Sequence, residues 1–323
     1  METTGPAKPY IRLNAKHILG IAAPHTWVAC LYSVLIGAAL ALNQNGGFSP
    51  LTFVMVLFAA FLLQSTANAF NDYYDFISGN DRADNSDNPG DAILVYNNIN
   101  PKHVKVLGFC FMAVAIALGI YPVYRGGPVV LLIGAIGCVL ILTYSGGKKS
   151  VSHTPFGELA AFFGDGLEVP AVFLALAGTG FPDMWRGLWP GLLTGKVFFL
   201  AIPVALSPAM ITMVNNICDI ERDTIAGRRG VVILLGRPRA RVFFLALICI
   251  WLAMIVVCVA LFFPKGLVLV LVLLAASSPV WLRLFRLPYV PGKRGQCIGV
   301  IVMTMHCLGI SYVAAAVMHA LRG

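Results

Sequence analysis

Nine long apolar stretches, joined mostly by short polar segments, constrain this chain more than any other feature. They cover roughly residues 22–42, 51–70, 104–122, 128–144, 156–178, 196–216, 242–262, 266–282 and 297–320. An α-helix needs about 17–25 residues to cross a bilayer, and these stretches match that length. Hydrocarbon offers no water to backbone N–H and C=O groups, so such segments must satisfy them internally as helices. The expectation is an all-α membrane protein: nine transmembrane helices in one bundle, a single domain over residues 1–323, with the lipid bilayer as its surroundings. At 59% hydrophobic and 11% charged residues, the chain has too little polar surface for a water-soluble globule.

Basic residues orient the bundle. With the N-terminus inside, every Lys and Arg of the 23 in the chain falls in a cytoplasmic segment except Arg125, Arg186, Lys196, Lys265 and Arg322. That asymmetry follows the positive-inside pattern. It makes residues 1–20 a cytoplasmic tail and 76–103 a cytoplasmic lid loop, and it opens a central cavity to the cytoplasm. The net charge of +9 reflects this orientation. No basic, aromatic-interleaved soluble domain exists to bind nucleic acid, which is not an expected partner. The eight cysteines form no CxxC pair and lie mostly inside apolar stretches, as packing residues do.

Two acid-and-amide runs stand out against this background. Asn68, Asn71, Asp72 and Asp75 close the second stretch; Asn215, Asn216, Asp219 and Asp223 close the sixth. Asn68, Asp72 and Asp75 are spaced i, i+4, i+7, and Asn215, Asp219 and Asp223 i, i+4, i+8, so each set lies along one helix face. Four helices separate the two runs, so both reach the cytoplasmic side with the same polarity. Carboxylates beside hydrocarbon are costly and usually functional. Two matching faces suggest a cage in which Asp72, Asp75, Asp219 and Asp223 hold a hard divalent cation such as Mg²⁺, an ion that commonly serves phosphate-bearing substrates.

Other side chains extend the site. Asn68 and Asn215 can add neutral oxygens or orient phosphates. Lys148 and Lys149 follow the fourth stretch in TYSGGKKS and can pair with a diphosphate as point charges; Arg222 and Arg228 are further candidates. The rings of Tyr73, Tyr74, Phe70 and Tyr144 can face a developing carbocation. Glu158, Asp165 and Glu168, at i, i+7 and i+10 where the fifth stretch begins, suit either the cavity mouth or a helix cap. A transporter would also place acids in a membrane, but it calls for ionisable groups near the midplane rather than at helix ends.

The motifs N-D-Y-Y-D at 71–75 with Gly79 and Asp81, Y-S-G-G-K at 144–148, and N-N-x-x-D-I-E-x-D at 215–223 with Ala226-Gly227 resemble the UbiA superfamily of intramembrane prenyltransferases. The resemblance covers nearly the whole chain and is nearest to the branch acting on 1,4-dihydroxy-2-naphthoate in menaquinone synthesis. It implies Mg²⁺-dependent transfer of a polyprenyl chain from polyprenyl diphosphate to an aromatic acceptor. Alternative acceptors are 4-hydroxybenzoate, homogentisate, a porphyrin or another phenol. It further implies that Asp72, Asp75, Asp219 and Asp223 bind metal and serve catalysis, and that Lys148 contacts the diphosphate; Asn68, Asn71, Tyr144, Lys149, Asn215 and Arg222 are the other residues expected to contact substrate. The location it implies is a bacterial inner (plasma) membrane, with the active site facing the cytoplasm.

Overall fold

A computed structural model of the chain describes residues 9–42, 48–79, 81, 92–147, 150–178 and 195–321. Among these residues the fold is helical throughout, apart from one isolated bridge between Ile11 and Ile99. In chain order the helices are α1 (Ala15–Ala22), α2 (Val28–Leu42), α3 (Pro50–Ser78), α4 (Ile93–Tyr96), α5 (Pro101–Gly126), α6 (Pro128–Ser145) and α7 (Gly157–Ala177). Then follow α8 (Lys196–Cys218), α9 (Ile220–Ile225), α10 (Val231–Phe262), α11 (Leu267–Ala276), α12 (Ser278–Trp281) and α13 (Arg294–Leu321).

Seven of these helices are long and apolar enough to cross a membrane by themselves; counting two bent pairs as one span each raises the number to as many as nine. The first pair is the stretch expected as span 22–42. It is broken by 57° between Ala15–Thr26 and Val28–Leu42, where Ala23 takes a left-handed conformation (φ 47°) before Pro24. The second pair bends by 48° between Pro264–Ala276 and Ser278–Arg286, and Pro279 opens its second arm. Proline lacks the N–H that would continue a helix, which accounts for breaks at these places. Residues 15–20, expected as tail, form most of α1.

Local chemistry sets the other ends. Ser49 caps α3 by accepting from the Thr52 N–H, and Pro50 takes the first turn, where its missing donor is harmless. Asn100 and Pro101 repeat the device on α5. Gly79 ends α3 at φ 74°, in the left-handed region that glycine enters without strain. Inside α10, Gly236 (φ 72°, ψ 154°) interrupts the helix two residues before Pro238.

Helix α8 is the axis of the bundle. Its span is 72% buried inside the protein, against 11% for α6. α7 and α10 pack on α8, α2 packs on α7 and α13, and α3 packs on α5. The main core joins α2, α8, α10, α11 and α13 around Phe244, Trp251, Tyr289, Met305 and Tyr312. Close backbone approach between α2 and α7 rests on Gly37: a Cβ there would come within 2.7 Å of Val172 Cβ and 2.9 Å of the Val169 carbonyl oxygen. On the other side, α2, α3, α5, α6, α7 and α8 enclose a cavity of about 980 Å³.

Candidate active site

The C-terminal half of α3 places Asn68, Asn71, Asp72 and Asp75 on the wall of this cavity, as their helical spacing requires. The end of α8 and the short α9 bring Asn215, Asn216, Asp219, Arg222 and Asp223 to the same cavity, Tyr144 joins them from the end of α6, and Asp81 from just beyond α3. Both acid runs therefore meet. Two arginines fill out the site: Arg228 from the loop after α9 and Arg294 from the start of α13.

These cations organise the carboxylates into pairs. Arg228 Nη2 donates to Asp75 Oδ1 at 2.7 Å, and its Nη1 lies 3.4 Å from Asp223 Oδ1. Asp219 Oδ2 accepts from Arg222 Nη2 at 2.9 Å and lies 3.1 Å from Arg294 Nε as an ion pair. Arg294 Nε also donates to Asn215 Oδ1 at 2.9 Å. Asn71 links the α3 run to α6: its Nδ2 donates to Asp75 Oδ2 and its Oδ1 accepts from Ser145. Asn216 Nδ2 donates to Glu158 Oε1 at 2.8 Å, tying α8 to the first turn of α7. Arg237 holds the end of α8 in place by donating to the carbonyls of Ile217 and Cys218 and to both oxygens of Glu221. That bond keeps Glu221 below its usual carboxylate range.

Burial shapes the acids outside the spans. Asp223 is 4% exposed, and desolvation pushes its carboxyl up to about 6, against the pull of Arg228 and Arg222. Asp81 is pushed up to about 7, first by burial and second by the charge of Asp75. Both effects disfavour an added negative charge in a site that already holds several.

Asn68 does structural work with its amide. Its Nδ2 donates to the Ala22 carbonyl at 3.1 Å and to Thr26 Oγ1 at 2.8 Å, securing the break between α1 and α2. Lys148 and Lys149, expected on the diphosphate, lie outside the described residues, as do residues 80 and 82–91 of the expected lid loop 76–103; the rest of that segment includes the end of α3, the short α4 and the start of α5. Glu158 stays in the first turn of α7, bound to Asn216, but Asp165 and Glu168 line the cavity two and three turns further along the helix, whereas their place near the start of the stretch suggested the mouth. Arg294 was legible in the sequence only as one more cytoplasmic cation; nothing in its local pattern ties it to Asp219.

Among the described residues, no three His, Cys, Asp or Glu side chains converge to hold a metal by themselves. The donor set still fits Mg²⁺, which is commonly held by one or two carboxylates together with waters and substrate phosphates rather than by an all-protein cage. Arg228 Nε is buried without a partner, a spare donor for an anion.

The fold and site together define a membrane-type helical bundle with acidic and basic side chains facing each other at the wall of a mostly apolar cavity. Residues 30–308 match the model of the UbiA prenyltransferase family, and the chain belongs to that family. It is 32% identical over 220 residues to 1,4-dihydroxy-2-naphthoate octaprenyltransferase of Bacillus subtilis, covering 68% of this chain and 66% of that protein. It is 27% identical over 222 residues to UbiA prenyltransferase domain-containing protein 1 of Dictyostelium discoideum, covering 66% and 62%. The matched region thus spans a little under two thirds of these relatives. The fold is shared with a UbiA homolog from Archaeoglobus fulgidus solved with GPP and Mg²⁺, with a TM-score of 0.60 and 16% identity over 92% of this chain and 99% of that one. A UbiA homolog from Aeropyrum pernix K1 superposes with a TM-score of 0.62 over 94% and 99%.

Proposed function

We propose that this protein transfers a polyprenyl chain from its diphosphate to a hydroxylated aromatic acid, with 1,4-dihydroxy-2-naphthoate as acceptor, in menaquinone formation. The observation that carries this reading is the junction of two carboxylate faces and three arginines at one end of a cavity whose other end is lined by Ile116, Ile120, Leu131 and Ile133. The name of the Bacillus subtilis relative supports the acceptor. We place nine spans in a bacterial plasma membrane with the cavity mouth in the cytoplasm, a reading supported by the distribution of Lys and Arg.

Asp72, Asp75, Asp219 and Asp223 would hold Mg²⁺, which supplies charge compensation to a departing diphosphate. Arg222, Arg228 and Arg294 bind phosphate oxygens, and Lys148 and Lys149 add to them. These donors stabilise the charge that gathers as the C–O bond to isoprenoid C1 breaks and its electron pair leaves with diphosphate. A ring carbon then bonds to C1. Aromaticity returns when the same carbon loses carbon dioxide, whose bonding pair stays with the ring; a ring without the carboxylate would lose a proton instead. Tyr144, on the cavity wall, offers its ring to the region where the allylic cation develops. The apolar cavity holds the tail and excludes water that would trap the cation. A cation pathway would need a polar exit at the far end, where the lining is aliphatic.

The test is an assay of membrane fractions with Mg²⁺, a polyprenyl diphosphate and a panel of aromatic acids, read by mass. A prenylated, decarboxylated naphthalene product supports the reading. A prenylated product from another ring replaces the acceptor but keeps the reaction. No product from any ring removes the transferase.

A further inference from the structure

Two carboxylates lie where the diphosphate chemistry does not need them. Asp165 and Glu168 follow Glu158 by seven and ten residues on α7, which sets them about 10 Å and about 15 Å deeper at the 1.5 Å rise of a helix. They are one turn apart on the same face, and both line the cavity. Asp165 is 9% exposed. Glu168 Oε2 is buried with no hydrogen-bond partner. Neither carboxylate has an ion-pair partner among the described residues, in contrast to the arginine-paired acids at the mouth.

A buried carboxyl oxygen without a donor is a standing cost, and carboxylates at such depth mark ligand sites by default. The surrounding surface favours a flat ligand. Gly164, between Ala161 and Asp165 on the cavity wall, has nothing within 4 Å of where its Cβ would be. The site thus has two acceptor groups facing a space one ring can enter, below a mouth rich in arginine.

We infer that Asp165 and Glu168 form the subsite that receives the hydroxyl end of the aromatic acceptor and fixes its orientation. The inference rests on the transferase reading and adds the acceptor's place within it. An acceptor with a carboxylate at one end and a hydroxyl at the other meets arginines at the mouth and carboxyl groups at depth. Its carboxylate is drawn to Arg294 and Arg222; its hydroxyl hydrogen-bonds to Asp165 or Glu168. That pose brings the carboxylate-bearing side of the ring towards the isoprenoid C1 and leaves the hydroxyl at depth. Reaction needs the two carbons within roughly 3–3.5 Å, so holding the far end selects the ring position that reacts.

The experiment uses the purified full-length protein in detergent with Mg²⁺. Equilibrium binding of 1,4-dihydroxy-2-naphthoate and of 2-naphthoate, which lacks hydroxyls, is measured for the wild type, Asp165→Asn, Glu168→Gln and Gly164→Val, alongside KM for the polyprenyl diphosphate. The expected result is that Asp165→Asn and Glu168→Gln each weaken the dihydroxy ring roughly tenfold, leave 2-naphthoate unchanged, and move the diphosphate KM less than twofold. Gly164→Val, which fills the ring space without touching either carboxylate, weakens both rings and spares the diphosphate. Equal losses for both rings in the carboxylate variants, loss on the diphosphate side, or no loss overturns the subsite. If one carboxylate variant fails to fold, Gly164→Val decides: unchanged ring affinity overturns the proposal. Hydroxyl-dependent ring binding without prenylated product keeps the subsite and removes the transferase; normal product from variants with unchanged ring affinity does the reverse.

Discussion

Arg228 reaches across the site to Asp75, with Nη2 2.7 Å from Oδ1, and thereby joins the two acid runs, since its other arm lies against Asp223. The guanidinium sits where a cation is needed to hold these carboxylates together before substrate arrives. Its fork suits phosphate as well as carboxylate. Removing one partner of a buried pair leaves uncompensated charge and costs about 3–5 kcal/mol. Arg228→Ala should therefore lower kcat/KM for the diphosphate by more than tenfold and lower thermal stability, while Arg228→Lys keeps the charge and recovers only part of the rate. Wild-type kinetics in Arg228→Ala would remove the arginine from diphosphate binding.

Asp219 accepts from Arg222 and is ion-paired with Arg294, so an amide at this position loses the charge but keeps most of the shape. Asp219→Asn and Asp75→Asn should each lower turnover by at least about a hundredfold, the scale expected for a group stabilising the transition state. Membrane insertion should be retained, while the melting temperature falls because each amide leaves an arginine without its carboxylate. Chelation should abolish wild-type turnover and added Mg²⁺ should restore it. Normal rates in both variants would remove the metal role.

The sequence carried the acid faces because helix periodicity is local: Asp72 and Asp75 must share a face once α3 is a helix. It carried the bundle because apolar length is local too. The pairing of Arg294 with Asn215 and Asp219 was not legible, since it depends on where α13 lands against α8, a packing result between segments 79 residues apart. The role of Asn68 was hidden for a similar reason. Its amide serves a break at Ala23–Pro24, and a hydropathy pattern runs through that break without a mark, although Pro24 is its local sign. Depth misled as well: the end of an apolar stretch does not say where the cavity floor lies, so Asp165 and Glu168 were read too near the mouth.

Asp81, pushed up to about 7, is still partly protonated at neutral pH, and Asp223, pushed up to about 6, is partly protonated only in mildly acidic solution. A divalent cation favours their ionised forms, so Mg²⁺ binding should release protons and its affinity should rise with pH through this range, then level off above it. The stability sign is opposite for the metal-free protein. A carboxyl with a raised pKa favours the folded state while protonated, so stability falls as pH climbs towards about 7. Titration calorimetry in two buffers of different ionisation enthalpy measures the release, and Asp81→Asn should remove its upper part. Binding without proton release would contradict this account.

Gly37 lets α2 lie directly on α7, the helix that carries Asp165 and Glu168. In Gly37→Ala the new Cβ would stand 2.7 Å from Val172 Cβ and 2.9 Å from the Val169 carbonyl. The carbonyl is backbone and cannot rotate away, so the helices must separate. Overpacking of this kind costs about 1–3 kcal/mol, and the detergent-solubilised protein should melt several degrees lower. Because the displaced residues lie within one turn of Glu168, acceptor KM should rise while diphosphate KM, which we propose is set at the mouth by Arg222, Arg228 and Arg294, should hold. A fall in melting temperature with both KM values unchanged would separate α2–α7 packing from acceptor binding.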